Sequence, residues 1–236
     1  MKKIIILVCL LAFAVTLHSQ ILISLLLGDK LNSDKIEFGI EAGLNWAKIS
    51  SLETNKYQGN WNLGFYFNLK MNQSWYINTG VLVKSTLGVD KLSDNDLNKL
   101  NSTIYYNNDG ARINGNYNQK MNYFLVPVLA KYKFRNNFYA ELGPQFGLMY
   151  RSWMQFHSEL NGSEAIIKEF NKEKLNKIDA GGVVGFGYRL FNGTGWSIGV
   201  KYYYGFIAVY KDIAGSNNSS FFVKVNIPVG VGDKKK

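Results

Sequence analysis

The chain has 236 residues, with 27 Lys and Arg against 17 Asp and Glu, a net charge of +10, 15% aromatic residues, 23 glycines and 3 prolines. That length holds one domain or a barrel with long loops, and so aromatic a composition does not belong to a disordered chain. The one cysteine, Cys9, lies in an apolar N-terminal run, which excludes structural disulfides and thiolate metal sites from the remainder. The basic balance comes without zinc-ligand spacing or an arginine-rich helix. It therefore fits acidic lipid headgroups or lipopolysaccharide phosphates at least as well as nucleic acid.

Met1-Lys2-Lys3 followed by the apolar run 4–17 has the charged start and apolar core of a secretory signal. Residues 1–19 are read as a signal peptide with cleavage near Ser19-Gln20, and 20–35 as a short helical segment at the periplasmic rim. The alternative is one uncleaved anchor continuing through 21–27, which His18, Ser19 and Gln20 interrupt.

From Ile36 onward the hydrophobic period is two. Ile36, Phe38, Ile40, Ala42, Leu44 and Trp46 share one face, while Glu37, Gly39, Glu41, Gly43 and Asn45 share the other. The second segment sets Trp61, Leu63, Phe65, Phe67 and Leu69 against Asn62, Gly64, Tyr66, Asn68 and Lys70. The third sets Trp75, Ile77, Thr79, Val81 and Val83 against Tyr76, Asn78, Gly80, Leu82 and Lys84. The fourth, 117–134, resists a clean division; Pro127 within it is a candidate bulge. In the fifth, Phe138, Ala140, Leu142, Pro144, Phe146 and Leu148 oppose Tyr139, Glu141, Gly143, Gln145 and Gly147. The sixth opposes Val184, Phe186, Tyr188 and Leu190 to Asp179, Gly181, Val183, Gly185, Gly187 and Arg189. Trp196, Ile198, Val200, Tyr202, Tyr204 and Phe206 oppose Ser197, Gly199, Lys201, Tyr203 and Gly205 in the seventh, and Phe221, Val223, Val225 and Ile227 oppose Phe222, Lys224 and Asn226 in the eighth.

The polarity of the two faces decides the class. Glycines and charges share one face, and bulky apolar residues fill the other. In water the bulky face would be an outsized exposed patch, so it requires lipid around it. Eight strands enclose a narrow interior that small residues and paired charges fill. The expectation is an all-β fold: an eight-stranded antiparallel up-and-down transmembrane β-barrel over residues 36–230, with a short N-terminal helix before it and a basic tail at 231–236. Short connections at 72–73, 135–137 and 192–195 alternate with polar ones at 50–58, 88–116, 151–176 and 211–218, as periplasmic turns alternate with outer loops.

Two residue sets stand out as sites. Glu37, Glu41, Lys70, Lys84, Glu141, Asp179, Arg189, Lys201 and Lys224 are expected to form an interior ion-pair network, because a buried charge without a partner is costly. Trp46, Trp61, Trp75, Trp153 and Trp196 are expected at the membrane interfaces. A serine–histidine–carboxylate relay would have to use His157 with Ser158 and Glu159, whose adjacent positions alternate in direction and do not line up. No metal, nucleotide or cofactor motif occurs, and no catalytic role is expected. The stretch 163–175 has the composition of a short helix.

With these segments in place, the chain resembles the PorT-like outer-membrane β-barrel family of Bacteroidetes. Carrying the likeness are Tyr123, Val126-Pro127-Val128, Lys131-Tyr132, Leu142-Gly143-Pro144, Gly147, Asp179-x-Gly181, Gly185-x-Gly187-Tyr188 and Tyr204-Gly205. The resemblance implies an outer-membrane location, and some members of that family serve type IX secretion. A departure is the ending Pro228-Val-Gly-Val-Gly-Asp with three lysines, where such barrels commonly end on an aromatic residue; Phe221 and Phe222 are the candidates to take that part.

The leading functional expectation is a monomeric integral outer-membrane protein with a structural or interaction role and a plugged polar interior. Its partners would be outer-membrane lipid and lipopolysaccharide, and envelope proteins through 88–116 and 151–176. The alternatives are a component of a secretion or envelope-assembly machine, and a soluble periplasmic lipid-binding barrel, which requires the reverse face assignment.

Overall fold

Strands that alternate so regularly have only one way to satisfy their peptide groups at both edges, which is to pair in a ring. The computed structural model describes residues 31–54, 56–160 and 163–229. Nine strands are found among them: β1 (Ile36–Ile49), β2 (Gln58–Lys70), β3 (Trp75–Val89), β4 (Asn116–Lys133), β5 (Phe138–Leu160), β6 (Ser163–Phe170), β7 (Ile178–Arg189), β8 (Ser197–Ala208) and β9 (Asn217–Pro228). All pairings are antiparallel. Each strand except β6 pairs with its neighbours in the ring, β5 passes directly to β7, and β1 meets β9 from Gly39↔Pro228 to Ile49↔Asn218. Eight strands thus close the barrel, and β6 is a ninth that hangs on the upper half of β5.

The signal peptide expected at 1–19, residues 20–30 of the expected helical segment and the tail at 231–236 lie outside the described residues. Asn32–Lys35 is not helical. There the Asn32 side chain accepts from the Phe38 amide at 2.8 Å and donates to the Val229 carbonyl at 2.5 Å, stapling the start of β1 to the end of β9.

The expected faces hold along most of the ring, and two bulges alter them near the outer end. Leu63 stands opposite Lys84 but Gly64 opposite Leu82, so Val83 is an extra residue in β3. Beyond it the parity reverses: Ser85 turns inward and Lys84 outward. In β5, Asn122 faces Arg151 and Tyr123 faces Met149, so Tyr150 is extra; Ser152, Met154 and Phe156 then point inward and Trp153 outward. Pro127 is no bulge. It keeps regular register opposite Gln145, and its carbonyl accepts from the Thr79 hydroxyl at 2.8 Å. Phe38 keeps its expected parity yet is buried, packed against Phe65 and Phe67.

Gly64 and Gly80 allow the backbones of β2 and β3 to lie close together. A Cβ on Gly64 would come within 2.6 Å of the Leu82 Cα, and one on Gly80 within 2.8 Å of the Tyr66 Cα; Gly80 also has a φ of +155°. Gly64→Val is expected to destabilise the barrel by at least about 1–3 kcal/mol through overpacking. Urea unfolding in detergent, followed by tryptophan fluorescence, measures it, and an unchanged midpoint would contradict the close approach.

Candidate functional site

The inward row of the lower half carries three carboxylates and four cations. Lys201 Nζ lies 2.9 Å from Glu41 Oε1, and Lys224 Nζ lies 3.8 Å from Glu41 Oε2 and 2.5 Å from Glu141 Oε1. Asn226 donates to Glu41 at 3.2 Å. These side chains come from β1, β5, β8 and β9, so the bridge spans the lumen. Below it Arg189 pairs with Glu37, which also accepts from the Tyr66 hydroxyl at 3.1 Å and Asn68 at 2.8 Å. Above it Asp179 is buried and accepts from Asn218 at 2.8 Å.

Three residues of the expected network stand outside it: Asp179 has hydrogen bonds but no ion pair among the described residues, and two lysines lie elsewhere. Lys70 is exposed at the end of β2, where the strand leaves the barrel for the 71–74 turn. Lys84 is turned outward by the Val83 bulge, and its ammonium lies 3.5 Å from the Trp61 ring centre. Lys131 takes an interior place instead, 6% exposed, with its ammonium 4.0 Å from the Tyr139 ring centre. Its row in β4 holds Tyr117, Met121, Tyr123, Leu125 and Leu129, all buried and bulky, so no glycine or charge alternation marked that face. With Lys133 and Arg189 it lines a cavity of about 20 Å³ at the lower mouth, room for about one water.

The upper interior adds an apolar cluster to the polar filling, beside buried Asn45, Gln119, Ser152 and Ser220. Leu82, Leu87, Val89, Met121, Met149 and Met154 meet Leu92, Leu97, Leu100, Leu175 and Val209 from the outer connections in one buried cluster. A six-residue helix α1 (Asp94–Lys99) brings Leu97 down onto the mouth. Its capping pair fixes it: Ser93 Oγ accepts from the Asp96 amide at 3.1 Å and the Asp96 carboxylate accepts from the Ser93 amide at 3.4 Å. The same carboxylate accepts from the Glu53 and Thr54 amides at 2.7 and 3.0 Å. The connection 90–115 is thereby tied to 50–57.

The segment expected as a loop at 151–176, with a helix at 163–175, is instead a β-hairpin of β5 and β6 followed by a short 3-10 turn, Lys172–Lys174. Ile166 and Phe156 belong to a strand period of two, and the hairpin gains a ladder from Trp153↔Phe170 to Leu160↔Ser163. Tyr105 from 90–115 packs 4.9 Å from the Phe156 ring and donates to Glu169 Oε1 at 2.5 Å. Burial, and then that bond, hold the Tyr105 phenol above its usual pKa. On this hairpin His157 Nε2 lies 2.9 Å from Glu164 Oε1, while the Ser158 hydroxyl turns inward to the Asn114 carbonyl at 2.5 Å. The two side chains diverge and form no relay.

The outward face carries lipid-facing residues such as Leu44, Val126, Leu142, Phe146, Val184 and Val200. Aromatics ring both ends. Trp75 meets Tyr132 edge-on at 4.9 Å near the short turns, where Trp196 is also exposed. Trp46 and Phe221 stand 6.3 Å apart near the long connections, beside exposed Trp61. Trp153 stands above this upper ring on the hairpin, between Arg151 and Lys168.

A closed eight-stranded ring with paired charges inside and an apolar belt with aromatic borders outside defines an outer-membrane β-barrel protein. Residues 29–211 match the family model described as outer membrane protein beta-barrel domain. The chain belongs to that family, and its location is the outer membrane. It is similar in fold to Ail, the attachment invasion locus protein of Yersinia pestis, at 9% identity and a TM-score of 0.40, covering 83% of this chain and 99% of that one. It is likewise similar to Neisserial surface protein A, at 13% identity and 0.39, covering 80% and 96%. OprG of Pseudomonas aeruginosa is a third, at 10% identity and 0.31, covering 82% and 91%. No curated protein sequence matches significantly.

Glu41→Ala would leave Lys201 without its carboxylate and Lys224 with one partner in a closed interior. The expected loss is about 3–5 kcal/mol. Adding Lys201→Met should restore much of it, because the charge count is again balanced. Thermal unfolding in detergent reads both; equal stability of the single variant and the wild type would contradict the bridge.

Proposed function

We propose that the protein is a sealed, non-catalytic outer-membrane anchor that presents its outer hairpin and loops to envelope partners. The observation that carries this reading is closure at two levels, a charge bridge in the lower lumen and an apolar cluster at the outer mouth. Either level alone obstructs hydrated ions, and a lumen of eight strands leaves little room beside them. The rigid ring holds the connections at 90–115 and the β5–β6 hairpin away from the bilayer, a placement suited to contacts. A cleaved export signal at 1–19, a basic tail at 231–236 and a monomeric barrel of 36–230 belong to the same proposal, as does a surround of lipid and lipopolysaccharide.

Kinship with PorT-like barrels is part of this reading too. Its support is the motif set Val126-Pro127-Val128, Leu142-Gly143-Pro144 and Gly185-x-Gly187-Tyr188, which falls in the adjacent strands β4, β5 and β7. Co-purification of secretion-machine subunits with the tagged protein would extend the role to envelope assembly.

Wild-type protein and Arg189→Ala are both expected to give no conducting steps in planar bilayers, while Arg189→Ala lowers the thermal midpoint. Stable porin-sized steps from the wild type would overturn the sealed-anchor reading.

A further inference from the structure

Just above the upper aromatic ring, the outward face of β4, β5 and β6 gathers three cations. The register brings them together: Lys120 stands opposite Trp153, Trp153 opposite Phe170, Asn122 opposite Arg151 and Gln155 opposite Lys168. The Arg151 guanidinium lies 5.5 Å from the Trp153 ring centre and 4.9 Å from that of Phe170. Lys168 Nζ lies 5.8 Å from the Trp153 ring centre, and Lys120 Nζ donates to Gln155 Oε1 at 3.3 Å. Among the described residues none of the three cations forms an ion pair with a carboxylate.

Their fields overlap. Like charges collected on one face favour an anion between them. Directly beneath, the Phe124 and Tyr150 rings lie 4.7 Å apart, above exposed Val126, Leu148 and Phe146. A lipid whose acyl chains run along that strip brings its headgroup to the cations.

We propose that this face of β4–β6 binds a phosphate of an outer-leaflet glycolipid, the lipid A part of lipopolysaccharide. Arg151, set beside the two rings, supplies the forked donor, and Lys120 and Lys168 supply point charges. The Tyr150 bulge makes the site, since without it Arg151 and Trp153 would face the lumen together. The inference rests on the reading of the long connections as the outer side, and it assigns that reading's lipid partner to particular residues.

The test uses full-length protein folded in neutral detergent, titrated with bisphosphorylated lipid A, monophosphorylated lipid A and inorganic phosphate, with bound ligand read by native mass spectrometry. Bisphosphorylated lipid A should bind best, and inorganic phosphate should not be retained. The Lys120→Ala/Arg151→Ala/Lys168→Ala variant should bind bisphosphorylated lipid A at least about tenfold more weakly. A Lys48→Ala/Lys211→Ala control should bind as the wild type does. If the triple variant fails to fold, Lys168→Ala and Arg151→Lys should each weaken binding measurably. Wild-type affinity in the triple variant or in both single variants, or an equal loss in the control, overturns the site. Saturable retention of inorganic phosphate overturns the lipid assignment. Conductance in the same preparation bears on the sealed-anchor reading alone, so the two failures are distinguishable.

Discussion

Unpaired peptide groups cannot remain in hydrocarbon, and this constraint organises the molecule. Each unsatisfied N–H or C=O there costs several kcal/mol, so a sheet crossing a membrane must close on itself. Here closure is made by β1 and β9, the first and last strands, with Asn32 bracing the seam between Phe38 and Val229. Once the ring is closed, its two faces meet different solvents. The outside must be apolar at mid-height and aromatic at the borders, and the inside must be filled by whatever eight strands can enclose.

Filling is done differently at the two ends. The lower lumen uses charge, and the carboxylates of Glu37, Glu41 and Glu141 stand among the cations of Lys131, Arg189, Lys201 and Lys224. Such groups cannot be left single in a low-dielectric interior. The upper lumen combines hydrogen-bonded polar groups such as Gln119 and Asp179 with loop-borne aliphatic side chains, which are available because the outer connections are long enough to fold back. Asp96, holding the amides of Glu53 and Thr54, ties two of those connections together and so fixes the lid from the side.

The same two bulges link interior and surface. Val83 turns Lys84 from the lumen onto Trp61, and Tyr150 turns Arg151 and Trp153 onto the outer face beside β6. A single extra residue per strand thus converts a would-be inner charge into an interfacial one. The upper rim becomes a basic, aromatic collar above an apolar belt.

Alternation in the sequence determined the strands, their faces, the sign of the interior and the alternation of short and long connections, because a strand's period of two is a local property. It also marked Glu41, Lys201, Lys224, Glu141, Glu37 and Arg189 as inward. It did not place Lys84 or Trp153, since a bulge is set by the register against the neighbouring strand, and no single segment carries that information. Lys131 stayed hidden because its inward row in β4 is as bulky as an outward one. The β5–β6 hairpin read as a polar loop because β6 has just one partner strand, and its outward side chains meet water rather than a core. The pairing of particular charges was decided by closure of the ring, which joins residues such as Glu41 and Lys201, 160 positions apart, and the basic cluster on β4–β6 by the register of those strands.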